Sequence, residues 1–148
     1  MNPMPAVYAE FGQSLAFAER TLTKVLRDHL AERGVDPETW YALKLIAAGG
    51  PQLARSSLIG DLEGSRGLDQ DSVRALLARL RDERLIEGEA SMVRLTEEGT
   101  SLFESLRGHV LGATEKLLGQ FDLRDIETTV RTIRAITRRA QEEAESAA

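Results

Sequence analysis

The sequence predicts a mainly α fold carrying one small β-hairpin, and three observations predict it. Val73, Leu76, Leu77, Leu80 and Arg84 recur at i, i+3, i+4 and i+7 between Asp71 and Arg84, the spacing of an amphipathic helix. The next residues, Leu85 to Leu95, are long enough for only a minimal hairpin, and Thr96-Glu97-Glu98-Gly99 opens another helix behind it. Long stretches with apolar residues every three or four positions occupy both ends of the chain, over 6–34 and 100–143. Helix, hairpin and helix in that order are the wiring of a winged helix-turn-helix.

Each element has its own signals. Phe11, Leu15, Ala18, Leu22, Val25, Leu26 and Leu30 mark a first helix from Ala6 to Arg33, stopped at Gly34. Asp36-Pro37-Glu38 restarts the chain, with Asp36 as N-cap, Pro37 in the first helical position and Glu38 in the first turn, and this second helix runs to Ala48. Gly49-Gly50-Pro51 ends it. A short third helix is expected over Leu53 to Leu62, followed by a loop from Glu63 to Gly67, and Asp69 or Asp71 can cap the fourth. Strands are expected over Ile86 to Gly88 and Met92 to Leu95. Thr96 caps a fifth helix striped by Leu102, Leu106, Val110, Ala113 and Leu117. Asp122 caps a sixth striped by Ile126, Val130, Ile133, Thr137 and Ala140, with Gln141 to Ala148 as a fraying tail.

At 148 residues, 42% hydrophobic and 29% charged, the chain suits one soluble domain. No apolar run approaches the roughly 18 residues of a membrane span, and no secretory signal precedes the first helix, so a cytoplasmic protein is expected. Cysteine is absent, which excludes disulfides, thiolate ligands and cysteine nucleophiles. The net charge of −5 confines any attraction to nucleic acid to a local patch. Serines and acids are plentiful, but no Gly-x-Ser-x-Gly, phosphate-cradling loop or histidine-centred motif appears, so neither an enzyme nor a cofactor is expected. His29 and His109, 80 positions apart, give no metal-ligand spacing.

In this order of elements the chain resembles the multiple antibiotic resistance regulator (MarR) family of winged-helix repressors. Trp40-Tyr41-Ala42-Leu43 looks like that family's second helix, Ser72 to Leu80 like its recognition helix, and Val93-Arg94-Leu95-Thr96-Glu97-Glu98-Gly99 like the second half of its wing signature, Asp-x-Arg-x-x-x-Val-x-Leu-Thr-x-x-Gly. The resemblance covers residues 6 to 143. It implies a homodimer on double-stranded DNA, a recognition helix from each subunit in successive major grooves, and release by a small, commonly aromatic, effector. Within one domain it divides the labour between 6–34 and 100–143, which dimerise, and 36–99, which reads DNA.

The first half of the wing signature is absent. Glu87 stands where the Asp belongs and Glu89 where the Arg belongs, placing a carboxylate where the minor groove's negative potential attracts a guanidinium. From Gln52 to Leu95 there are seven arginines against eight acids, yet Ser72 to Arg84 alone keeps four arginines against two acids. The candidate DNA contacts are therefore Arg74 and Arg79 on the polar side of the fourth helix, with Gln70, Ser72 and Ala75 beside them. Arg55 and Ser57 on the third helix and Arg94 on the wing complete the set. For the effector, the resemblance points to the crevice beside the dimer-forming helices, making His29, Trp40, Tyr41, Lys44 and Phe103 candidates. Core packing explains Trp40 and Phe103 equally, and a helix C-terminus explains His29. Two readings stay open: a DNA-binding regulator, and a winged-helix dimer that has lost DNA binding and serves as a protein-interaction or ligand-binding module.

Overall fold

The computed structural model describes residues 3–147, which form two compact units parting between Val110 and Leu111. Helices α1 (Ala6–Ala31), α2 (Pro37–Ala48), α3 (Arg55–Arg66) and α4 (Gln70–Asp82) are followed by strands β2 (Ile86–Glu87) and β3 (Met92–Leu95), with β1 (Leu53–Ala54) set between α2 and α3. Helix α5 (Glu97–Leu118) runs across the boundary between the units, and α6 (Leu123–Ala147) lies wholly in the second. Among the described residues no helix is long and apolar enough to cross a membrane.

The core of the first unit is built from the predicted stripes. Val73, Leu76, Leu77 and Leu80 of α4 are buried together with Trp40, Leu43 and Ile46 of α2, Leu58 and Leu62 of α3, and Leu106 of α5. From α1 only Leu30 is buried. Asp36 caps α2 by accepting the Thr39 N–H at 2.8 Å. Thr96 caps α5 by accepting the Gly99 N–H at 2.9 Å, and Asp122 caps α6 by accepting the Arg124 N–H at 2.8 Å.

The sheet has three antiparallel strands in the order β1-β3-β2, one more than the expected hairpin. Leu53 and Ala54 do not open the third helix, as their place in the sequence suggests. They instead pair with Val93 and Met92, and the Arg55 N–H reaches the Ser91 carbonyl at 2.9 Å, because the otherwise unpaired edge of β3 satisfies their backbone groups. Other boundaries also differ from the sequence reading, β2 ending at Glu87 and not at Gly88. Glu63 to Arg66 is helical, since the stop is Gly67 with its left-handed φ of 66° and not Gly64, so only Gly67, Leu68 and Asp69 separate α3 from α4. Arg84 lies outside α4 at a φ of 62°, leaving the apolar stripe to end at Leu80. Helix α1 ends at Ala31, two residues early, in the turn before Gly34. Helix α6 continues through the expected tail to Ala147, supported by Arg139 beside Glu142 at 3.4 Å and Glu143 at 3.7 Å, while Ala148 lies outside the described residues.

Candidate nucleic-acid interface

Helix α4 is anchored from below and open above. Asp69 accepts the Ser72 N–H at 2.7 Å, and that bond, aided by the Ser72 side chain, holds the Asp69 carboxyl below the usual carboxylate range. Ser72 is thus tied to the cap. Beyond it Gln70, Arg74, Ala75 and Arg81 are exposed, and Arg74 has no hydrogen bond or ion pair with any described residue. Arg79, one turn on, is engaged by Asp36 at 3.0 Å. Burial alone would raise the Asp36 carboxyl, but hydrogen bonds from Thr39 and the Arg79 guanidinium outweigh it and hold it below the ordinary value.

The wing spends its cation in the same way. Glu87 and Arg94 are direct cross-strand partners, and their side chains meet at 3.1 Å, so the strand register itself neutralises the arginine. Glu89 is exposed at the tip. Gly88, with φ of 140°, lets the chain pass the Met92 carbonyl where any Cβ would collide. At the root, the Thr96 N–H donates to the Leu85 carbonyl at 3.0 Å and the Thr96 hydroxyl to the Arg84 carbonyl at 2.6 Å, and Gly99 packs against the Leu85 carbonyl with no room for a side chain. Arg55 is half-buried at the start of α3, and Ser57 is exposed on the same helix.

No protein-family model and no curated protein matches the chain. Solved structures do. Staphylococcus aureus MarR in complex with salicylate and kanamycin superposes with a TM-score of 0.78 at 18% identity, covering 93% of this chain and 95% of that one. AbsC, a MarR family transcriptional regulator from Streptomyces coelicolor, gives 0.76 at 12% identity over 96% and 99% of the two chains. A Listeria innocua protein of unknown function gives 0.71 at 22% identity over 90% and 95%. The chain carries the MarR-type winged-helix fold.

Within this MarR-type fold the five effector candidates divide into two groups. Trp40 is 5% exposed and stacks on Phe103 with ring centroids 5.7 Å apart. The Lys44 ammonium lies 5.7 Å from the Trp40 ring centre and 5.6 Å from that of Tyr41, whose face is also covered by Arg66 at 3.9 Å. His29 instead meets His109 edge to face at 5.5 Å, and His109 Nε2 lies 3.3 Å from a Glu32 oxygen. Sequence reading misses this second group. The His29 and Glu32 spacing of one helical turn is visible there, but His109 reaches them only through the packing of α5 on α1.

Proposed function

We propose that this chain is a homodimeric transcriptional regulator that binds a pseudo-palindromic operator through α4 of each subunit, acting as a repressor that a small aromatic effector releases. The observation that carries the proposal is Arg74, an unpaired guanidinium on the open face of a helix whose opposite face is locked into the core. A guanidinium so placed suits a guanine edge or a phosphate. Half-sites are expected about one DNA turn, roughly 34–36 Å, apart. The labour divides as the resemblance implies, with 36–99 reading DNA and 6–34 and 100–143 dimerising. Dimerisation is supported by apolar faces left open on the terminal helices: Phe11, Leu15, Leu22 and Val25 of α1 are 40–50% exposed, and Val130 and Ile136 of α6 are 41% and 43%. The effector reading is supported by the salicylate complex of the S. aureus protein and by the Trp40, Tyr41, Lys44 and Phe103 cluster, which sets aromatic rings beside two cations, Lys44 and Arg66.

The other reading, a dimer that has given up DNA, is favoured by the Glu87–Arg94 pair and the Glu89 tip. The loop expected over Glu63 to Gly67 adds nothing to it, because only three residues join α3 to α4. Fluorescence anisotropy against the DNA flanking the chain's own gene and a shuffled control, at several salt concentrations, separates the two. Sequence-selective binding that weakens steeply with salt is the expected result. Equal, weak binding to both DNAs would transfer the chain to the protein-interaction class.

A further inference from the structure

We infer that His29, Glu32 and His109 form a zinc-binding site that ties the C-terminal end of α1 to α5. One ligand atom from each residue lies within 4.8 Å of the other two, in a chain that has no third histidine and no cysteine. His109 Nε2 and the Glu32 carboxylate are already 3.3 Å apart, close to the roughly 3.4 Å edge of a tetrahedron built on zinc bonds of about 2.0–2.1 Å. The His29 ligand atom lies within 4.8 Å of both, so a movement of its ring toward them closes the set.

The local architecture favours such a set. His29 closes the last turn of α1 and Glu32 is its C-cap residue, so one helical turn presents an imidazole and a carboxylate in the same direction. The His29 ring is half-buried with its Nδ1 shielded from water and lacking any hydrogen-bond partner, while Glu32 is exposed and gives an ion a way in. His109 Nε2 also touches the His29 carbonyl at 3.2 Å. Metal binding exchanges that hydrogen bond for a zinc bond: the Nε2 proton leaves to solvent, and the neutral ring then carries its one proton on Nδ1. Two nitrogens and one carboxylate oxygen suit zinc and leave its fourth position to water, the pattern of an exchangeable site. All three ligands lie in the first unit and none belongs to the α4 face, so the inference holds whether or not the chain binds DNA.

The test is titration of zinc into tag-free, chelator-treated full-length protein, in competition with a chromophoric chelator, with cobalt(II) as the spectroscopic probe. One zinc per chain is expected, together with the intense visible bands of four-coordinate cobalt and displacement of the imidazole NMR signals of both histidines. Glu32→Gln and His109→Gln, two variants that leave the buried core untouched, should each weaken zinc binding at least tenfold and bleach the cobalt bands. Binding below one equivalent in the parent chain, or equal binding by parent and both variants, would overturn the assignment. Because no DNA enters the measurement, its failure leaves the regulator reading intact.

Discussion

Helix α4 and the wing both carry arginines that are candidates for DNA contact, and they differ in what stands across from each. On the wing, antiparallel register sets Glu87 directly opposite Arg94, so the cation is compensated before any ligand arrives. On α4, Arg74 makes no ion pair with any described residue while Arg79, five positions on, turns back to Asp36. A count of charges, four arginines against two acids over Ser72 to Arg84 and one against two over Ile86 to Leu95, cannot tell the open arginine from the paired ones. The pairing geometry separates them.

Removing the anchor beneath α4 should abolish DNA binding through loss of the fold. Leu80 is fully buried, so Leu80→Ala should cost about 2–5 kcal/mol in urea unfolding, and loss of DNA binding should track unfolding. Arg74→Ala should leave stability unchanged and weaken operator binding by about 1–3 kcal/mol. Arg94→Ala should change affinity far less in the same anisotropy titration, and equal losses would erase the distinction between helix and wing. Glu89→Arg should sharpen it: an added tip cation ought to strengthen binding and steepen the salt slope by about 0.9 for each phosphate it neutralises. An unchanged slope would show that the wing stays clear of the DNA.

Asp36→Asn is the smallest change and reads two properties at once. Asparagine still caps α2, while Arg79 is released and should steepen the salt dependence of binding modestly. The Asp36 carboxyl sits below its ordinary value of about 3.9 in the folded chain. Its stabilising contribution is therefore complete above that value and is lost as pH falls through the lower folded one. The melting temperatures of parent and variant should converge on acidification across that range, and a gap that stays constant would remove Asp36 as the titrating group.

Much of the fold is legible in the sequence because apolar periodicity and caps are local. Asp36, Thr96 and Asp122 each cap the helix their sequence context predicts, and of the two candidates before α4 it is Asp69 that caps. Strand β1 is not legible, because two residues carry no period and Leu53-Ala54 is a strand only through its pairing with β3. Gly64 looks like a stop, but a glycine in a helix costs only about 1 kcal/mol against alanine, and the left-handed conformation that ends α3 falls at Gly67. For the interface, sequence spacing puts Arg74 and Arg79 on one polar face alike. That Arg79 meets an acid 43 positions earlier depends on α2 lying against α4, and no local signal carries it. The meeting of His109 with His29 and Glu32 is hidden for the same reason.

The knot of hydrogen bonds at the wing root, where Thr96 holds both Leu85 and Arg84 and Gly99 lies on the Leu85 carbonyl, leaves Glu89 and Ala90 at the tip outside the frame it closes, while Ser91 stays bonded to Arg55. The hairpin is in that sense a socket with a detachable head. A longer, arginine-bearing segment spliced between Glu89 and Ser91 should seat without disturbing α4, making wing reach a dimension along which this scaffold can be lengthened or re-aimed while α4 stays constant.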